Sequence, residues 1–505
     1  MSLRKQALQA MFWVAFARYV AKVMTLLTQL ILARLLVPEA FGLVAVASVV
    51  INAMRIFQDM GLGRTLIARR DDRPEALDAT FFMAATTGAA LCLAMLAFAP
   101  LSARFFAEPE TAPLLRLLSV KLVISSLGTV PTALLQRDLK FKALAWPRLI
   151  GILAFSVVSV PLAFMGFGAW SMAWGSVAQS AVENVLIWLR SGWSPALRFQ
   201  FEVAREIFAY SKHVLGISFG SFLHANLDKL LVGKLLGMSQ LGYYDLAFAL
   251  SGAVPALLVQ IVSPVLLPAF SQIKDDRERL GRLHVRLVKF LFVFITPAVA
   301  AVALFAREGI LVFYGAKWEP AIVPLQWLCL FAFVRQIAAS TSAVLMVVNE
   351  VKKFNIIVYL QLFLLAVLGW PAVHFGGLSG MSLLMTFVVA FGGVLVFLVA
   401  SRALGLPLRR YAAQAVSPLA ACAVSVLAVV VLEHALPLEI SQFTMEHFLI
   451  NVLILSLKGL VLAAAYAAAE YGLDVGLRDE VRLNATKLFN DNPLRAFLRH
   501  RRTGA

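Results

Sequence analysis

Residues 33–47 read ARLLVPEAFGLVAVA, and residues 233–247, 200 positions later, read GKLLGMSQLGYYDLA. Each copy gives a small residue, a basic residue and two leucines, followed after four variable residues by an apolar residue and a glycine. Similarity at a fixed spacing indicates a repeated structural unit. The sequence therefore predicts two copies of one unit, with Arg34 equivalent to Lys234 and Gly42 equivalent to Gly242.

The chain around the two copies is too apolar for a soluble protein. Of its 505 residues 61% are hydrophobic and only 14% are charged, with a mean hydropathy of +0.84, whereas a soluble domain carries about a quarter charged residues. The apolar residues occur in blocks of about 20, the length that crosses a bilayer as a helix. The composition excludes a soluble enzyme and predicts an all-α polytopic membrane protein.

The apolar blocks predict fourteen transmembrane helices. They cover residues 9–34, 40–60, 80–99, 112–134, 144–164, 168–190, 208–234, 242–270, 286–305, 320–346, 354–373, 376–400, 412–432 and 448–470. The two copies of the repeat fall between helices 1 and 2 and between helices 7 and 8. Because six helices separate the copies and six is even, both units have the same orientation.

We therefore expect two parallel six-helix lobes. The N-lobe covers residues 1–200 and the C-lobe residues 201–405, followed by two additional helices in 406–470 and a basic tail at 471–505. Of the 45 basic residues, 32 lie on the connections of one side, the tail included. Positive charge marks the cytoplasmic side, so both termini are expected in the cytoplasm. The net charge of +17 thus reflects topology, and nucleic acid is not an expected partner.

Motifs for catalysis or cofactor binding are missing from the sequence. Cys92, Cys329 and Cys422 each stand alone in an apolar block, and the seven histidines do not cluster, so we expect no metal and no cofactor. There is no phosphate-binding loop and no catalytic triad order. These observations favour a transporter over an enzyme.

Apart from the basic residues counted with the connections or at helix ends, seven fall inside the predicted spans, where a charge costs about 2.5–3.5 kcal/mol at the bilayer centre. Arg55 and Lys229 lie near helix ends, and we expect them to snorkel to the headgroups. Four deeper positions on helix 1 form one continuous polar stripe, because they are spaced at i, i+4, i+7 and i+11: Arg18, Lys22, Thr25 and Gln29. The stripe predicts an aqueous cavity.

Further intramembrane charges extend this prediction. Lys121, Arg335 and Lys458 are additional candidates for substrate binding. Asp228 and Glu183 are the intramembrane carboxylates, and they are candidates either for coupling to H⁺ or Na⁺ or for pairing with basic residues. Pairing of Arg18 and Lys22 with one of these carboxylates is the alternative to a substrate-facing role.

Helix 7 carries small and polar residues on one side, which suits the wall opposite the stripe. These are Ser218, Ser221, Ala225 and Asp228. Asp228 can instead neutralise the adjacent Lys229 or a basic residue of the other lobe, and we favour this interpretation slightly.

Three segments together resemble a known family. They are ARLLVPEAFGLVAVASVV at 33–50, DMGLGRTLIARRD at 59–71 and LDKLLVGKLLGMSQLGYYDLAFAL at 227–250, and the chain is similar over its length to the Wzx-type oligosaccharide flippases of the multidrug/oligosaccharidyl-lipid/polysaccharide (MOP) exporter superfamily. The resemblance implies a bacterial inner-membrane protein of fourteen helices. Its expected cargo is an undecaprenyl-pyrophosphate-linked repeat unit, moved from the cytoplasmic to the periplasmic leaflet for exopolysaccharide, capsule or O-antigen synthesis.

The resemblance also implies alternating access through a basic central cavity, with membrane lipids and the polysaccharide polymerase machinery as partners. An outward-moving anion gains about 2.3 kcal/mol per charge per 100 mV of membrane potential. A lipid II flippase, or another exporter of the same fold, is the alternative, although a cation exporter should line its cavity with carboxylates. A polytopic glycan polymerase is disfavoured, because the predicted outer loops are short.

Overall fold

The computed structural model describes residues 3–59, 62–69, 73–196, 201–435 and 447–474, and within these ranges the chain is helical without a strand. In chain order the helices are α1 Leu3–Leu35, α2 Pro38–Asp59, α3 Leu62–Arg69, α4 Pro74–Phe106, α5 Thr111–Leu127, α6 Thr129–Arg137, α7 Phe141–Phe164, α8 Ala169–Ser191, α9 Phe201–Leu236, α10 Met238–Gln272, α11 Arg277–Leu304, α12 Ala306–Gly309, α13 Ile322–Val347, α14 Val351–Leu404, α15 Leu408–Ala435 and α16 Phe448–Leu473. A π-helical turn at Ile310–Tyr314 and a 3-10 turn at Ala316–Ala321 lie between α12 and α13.

Every predicted span overlaps helical residues. In the described part of the chain, eight helices are long and apolar enough to cross a membrane, and α5 and α6, which are bent by 44° against each other, give a ninth if they count as one span. The class of an all-helical polytopic membrane protein is confirmed. The count of fourteen transmembrane helices stays a prediction.

The spans predicted at 354–373 and 376–400 lie together in the 54 residues of α14. A straight helix of that length would measure about 80 Å, whereas the hydrocarbon core is about 30 Å thick. The helix breaks at Gly377, whose φ of 55° and ψ of −140° are not helical. Glycine adopts such a φ readily because it has no Cβ atom. Beyond the break, the backbone passes so close that a Cβ atom on Gly380 would overlap the carbonyl oxygen of Ala372.

The packing order of the helices is the same in the two halves of the chain. In the first half α1 packs on α7, α2 and α4 pack on α5, and α5 packs on α8. In the second half α9 packs on α14, α10 and α11 pack on α13, and α13 packs on α14. The second helix of each half, α2 and α10, also pack closely against each other, so the halves meet at the helices that follow the repeat.

Glycines make this close approach of α2 and α10 sterically feasible. A Cβ atom on Gly42 would overlap the carbonyl oxygen of Met238, and one on Gly242 would overlap that of Pro38. Gly42 and Gly242 are 200 residues apart, as are Pro38 and Met238, so the two contacts are equivalent in the two repeats. A contact that repeats itself in this way is what an approximate two-fold axis between α2 and α10 produces. The glycine shared by both copies of the sequence repeat is therefore a packing requirement.

Helices α15 and α16 pack on each other and against α11. The Tyr466 hydroxyl of α16 donates to the carbonyl oxygen of Val293 at 2.8 Å, and Ser417 of α15 donates to Glu470 of α16 at 3.0 Å. The first bond joins α16 to α11 of the second half, and the second bond joins α15 to α16. The basic tail predicted from residue 471 lies, from residue 475 onward, outside the described residues.

Candidate functional site

Four charged side chains from four helices of the first half form one cluster, which we call the N-cluster. It contains Arg55 of α2, Lys121 of α5, Arg148 of α7 and Glu183 of α8, and each of the three cations lies within electrostatic range of Glu183. The Lys121 ammonium also donates to the hydroxyl of Ser176. The fold thus brings together residues that are far apart in the sequence.

The depth of the N-cluster follows from the helix bounds. Arg55, Arg148 and Glu183 lie between four and eight residues from the ends of their helices, which places them about 6–12 Å from one end of the bundle. Lys121 lies ten residues after the start of α5, about 15 Å from the opposite end. The N-cluster therefore extends from one end of the bundle toward its middle.

Three cations face one carboxylate in the N-cluster. No atom of Glu183 comes within the 4.0 Å of an ion pair with a cation among the described residues. Uncompensated charge at membrane depth persists only where it meets water, a partner or a ligand. Because the surplus is positive, the ligand chemistry that fits the N-cluster is anionic, and Arg and Lys are the side chains that bind phosphate.

The predicted stripe on α1 is only partly described. Lys22 and Gln29 are half-buried, and Lys22 has no ion pair among the described residues. The Thr25 hydroxyl donates to the carbonyl oxygen of Ala21 in its own helix at 2.7 Å, so this donor is already in use. The side chain of Arg18 lies outside the described residues.

A second charged cluster, the C-cluster, lies in the second half. Asp228 of α9 accepts a hydrogen bond from the Tyr244 hydroxyl of α10 at 2.8 Å, and Lys229 bonds Asp245 of α10. Arg335 of α13 lies within electrostatic range of Asp228, and its guanidinium lies 5.6 Å from the centroid of the Phe331 ring. His224 lies within electrostatic range of Arg335. In the C-cluster two carboxylates balance two cations.

The C-cluster corrects two predictions from the sequence. Lys229 does not snorkel to the headgroups, because its ammonium is held by Asp245. Asp228 does not line an open wall with Ser221 and Ala225, since those two are exposed and Asp228 is fully buried. The reason is that α10 packs over this part of α9 and covers it with Tyr244. Ser218, the fourth residue of that predicted face, has a side chain outside the described residues.

The N-cluster contains two residues that sequence reasoning missed. Arg55 was expected only to snorkel, yet it is exposed within electrostatic range of Lys121. Arg148 was not among the candidates, although it falls inside the predicted span 144–164, and this position was the signal that could have identified it. No pattern in the sequence could show that α2, α5, α7 and α8 bring these charges together.

Lys458 lies apart from both clusters. It is buried in α16, where its ammonium donates to a carboxylate oxygen of Glu433 in α15 at 2.7 Å. Its charge is thus compensated within the hairpin of the last two helices, which packs on α11. This pairing gives Lys458 a structural role, so we do not retain it as a substrate-binding candidate.

Comparison with known proteins places the chain in a family. Residues 31–323, more than half of the chain, match the profile of the family described as "Polysaccharide biosynthesis protein". The chain belongs to this family. A relative, the lipopolysaccharide biosynthesis protein WzxC of Escherichia coli (strain K12), is 26% identical over 382 residues, which are 75% of this chain and 76% of the relative.

Two solved structures share the fold. The lipid II flippase MurJ in an inward closed conformation matches with a TM-score of 0.71 and 14% identity, covering 89% of this chain and 98% of that chain. An inward-facing multidrug resistance MATE family transporter of the MOP superfamily matches with a TM-score of 0.63 and 17% identity, covering 77% and 98%. The family match and the likeness to WzxC confirm the resemblance to the Wzx-type flippases, and the family is one of membrane transporters rather than enzymes. The two solved structures show that the chain shares its fold with MurJ and with a MATE transporter of the MOP superfamily.

Proposed function

We propose that the protein flips undecaprenyl-pyrophosphate-linked oligosaccharide repeat units from the cytoplasmic to the periplasmic leaflet, for exopolysaccharide, capsule or O-antigen synthesis. The uncompensated positive charge of the N-cluster is the observation that supports this proposal. One carboxylate cannot neutralise the three cations of the N-cluster. The negative charges of a pyrophosphate would neutralise the remaining positive charge. Lys22, Gln29 and Arg18 on α1 extend the binding surface, and Arg335 contributes from the second half.

The transport path follows from the same arrangement. Fourteen spans form two parallel six-helix lobes at 1–200 and 201–405, with the two helices of 406–470 beside the second lobe and both termini in the cytoplasm. In this orientation Arg55, Arg148 and Glu183 lie in the cytoplasmic half of the membrane, where the headgroup enters. The two lobes then rock about their common interface, and the lipid tail stays in the bilayer.

Energy for the step comes from the membrane potential, because the anionic headgroup moves outward from an inside-negative cytoplasm and gains about 2.3 kcal/mol per charge per 100 mV. Glu183 and Asp228 are the carboxylates available for coupling to H⁺ or Na⁺. Glu183 suits this role better, since it has no close ion pair among the described residues, whereas Asp228 is already bonded to Tyr244.

Lipid II is the second candidate cargo, because its headgroup is also a pyrophosphate, but the likeness to MurJ concerns the fold alone. A translocation assay separates the candidates. Purified protein is reconstituted in liposomes with either a polyprenyl-pyrophosphoryl oligosaccharide or lipid II in the inner leaflet, and arrival outside is measured with a glycan-cleaving enzyme added to the medium.

We expect faster arrival of the oligosaccharide lipid, increasing with an imposed inside-negative potential. Empty liposomes and a polyprenyl lipid without the pyrophosphate serve as controls. Equal transport of the lipid without pyrophosphate would refute headgroup recognition by the N-cluster. Faster transport of lipid II would replace the proposed cargo by peptidoglycan precursor, and a rate independent of potential would refute the energetic argument.

A further inference from the structure

One end of the bundle, which we call the repeat end, contains both copies of the sequence repeat. Here α1 passes into α2 and α9 passes into α10, and the reciprocal contacts of Gly42 with Met238 and of Gly242 with Pro38 bring the two halves into backbone contact. At these two positions the contact is made by backbone atoms. The repeat end is therefore a place where the two halves meet.

The basic residue of each repeat crosses to the other half. Arg34, at the end of α1, donates from Nε to the carbonyl oxygen of Phe313 at 2.6 Å and from a second nitrogen to that of Val312. Lys234, its equivalent at the end of α9, donates to the carbonyl oxygen of Phe105 near the end of α4. The last carbonyl groups of a helix have no partner within it, and cations satisfy them well. Each half thus completes the helix ends of the other.

The connection between corresponding helices is longer in the second half than in the first, and we call this longer connection, residues 305–321, the strap. Helices α4 and α5 are joined by residues 107–110, whereas α11 and α13 are joined by residues 305–321, and these include the π-helical turn that meets Arg34. The strap returns bonds to the end of α1: Lys317 donates to the carbonyl oxygens of Arg34 and Leu36 at 2.8 and 2.7 Å, and the Trp318 indole donates to that of Ala33 at 2.9 Å.

Trp318 also closes the space between the halves. It is fully buried, and its ring lies edge-on to Phe41 of α2 at 5.1 Å and to Tyr243 of α10 at 5.9 Å between centroids. The ring therefore contacts a helix from each half next to the paired glycines. At the repeat end, the buried Trp318 ring thus lies beside the hydrogen bonds that Lys317 and Trp318 donate to the end of α1.

We propose that the two repeats and residues 305–321 form a reversible latch, which closes the repeat end while the N-cluster receives its ligand and opens to release it. The latch uses cations and carbonyl groups, with no carboxylate partner for Arg34 or Lys234 among the described residues. Water can replace each partner when the latch opens, because Lys234 is exposed and Arg34 is half-buried. Its assignment to the periplasmic side rests on the proposed function.

Glu39 and Ser239 allow the latch to be measured without any substrate. They are exposed, occupy equivalent positions of the two repeats, and lie next to the paired glycines. Spin labels are attached to cysteines at these positions, after Cys92, Cys329 and Cys422 are replaced by alanine, and the distance between the labels is measured by pulsed electron paramagnetic resonance in lipid nanodiscs. The closed latch should give a predominant short distance.

Gly42→Leu should convert this short distance to a longer one, because the leucine side chain would overlap the backbone at Met238. Gly252→Leu in α10 is the matched control, since no heavy atom lies within 4 Å of a Cβ atom placed there, and the short distance should persist.

The double variant Arg34→Gln with Lys234→Gln removes the charge-assisted hydrogen bonds of the latch without adding a larger side chain. It should shift the ratio of short to long distances between the spin labels about tenfold toward the long distance.

An unchanged distance distribution in both Gly42→Leu and the glutamine pair, in protein that stays monodisperse, would overturn the latch. If Gly42→Leu does not fold, the glutamine pair decides alone. Because no cargo lipid is present, these measurements are independent of the translocation assay. A latch that opens in a protein without pyrophosphate-dependent transport would contradict the proposed function and leave the latch intact.

Discussion

The N-cluster and the C-cluster occupy related halves of one molecule but treat their charges differently. In the C-cluster, Lys229 is neutralised by Asp245 and Asp228 is bonded by Tyr244. In the N-cluster, three cations share Glu183 at longer range. Since similar helix packing supports both clusters, the scaffold does not require the unpaired charges. The difference supports our proposal that the N-cluster binds the anionic headgroup, whereas Lys229 and Asp245 of the C-cluster pair with each other.

Reversing one charge of the N-cluster should have the largest effect on translocation, because it removes the surplus of positive charge that distinguishes the N-cluster from the C-cluster. Lys121→Glu would place two carboxylates among two cations, so the cluster should lose its attraction for an anionic headgroup. We expect translocation of the polyprenyl-pyrophosphoryl oligosaccharide to fall about 100-fold, equivalent to about 2.7 kcal/mol at 1.36 kcal/mol per factor of ten. The reconstituted liposome assay measures the rate.

Lys353→Glu is the control for this charge reversal, because Lys353 is exposed at the start of α14 and, among the described residues, bonds Glu350 alone. It should leave translocation within about twofold of the unchanged protein, since exposed pairs contribute about 0–1 kcal/mol. Equal loss in Lys121→Glu and Lys353→Glu would show a general charge effect and remove the argument for the N-cluster.

Removing one partner of the C-cluster should reduce stability. Lys229→Met would leave the half-buried Asp245 without its cation next to buried Asp228. Because losing one partner of a fully buried pair costs about 3–5 kcal/mol, we expect a loss below that range. We expect a lower melting temperature of the protein in detergent. The double variant Lys229→Met with Asp245→Asn should recover much of the loss, because no unpaired charge then remains. A double variant no more stable than Lys229→Met would contradict the pairing.

Arg335→Met should have the smallest effect and tests the boundary between the two clusters. Arg335 is exposed and forms no ion pair within 4.0 Å among the described residues, and its contact with the Phe331 ring is worth about 0.5–1 kcal/mol at such a site. The melting temperature should therefore fall less than in Lys229→Met. Because we propose that Arg335 contributes to the binding surface, translocation should fall severalfold. A normal rate would confine headgroup binding to the first half.

The helix positions were largely predictable from the sequence, and the chemical partners were not. Apolar blocks of about 20 residues located the helical segments, and Gly42 with Gly242 indicated a repeat before any packing was known. By contrast, Lys229 and Asp245 are 16 residues apart on different helices, and Arg55, Lys121 and Arg148 come from three helices. Periodicity reports which residues share a helix face, but it does not report which faces meet.

Hydrophobicity is a property of each segment, so the sequence by itself determined that the chain is a helical membrane protein, and the repeat and three longer segments indicated its family. The tertiary structure decided which intramembrane charges are paired. Lys458 and Lys229 have carboxylate partners, while Lys121 and its neighbours share one at longer range. The reason is that a charge in a membrane is stabilised by groups on other helices, whose distances arise only when the helices pack.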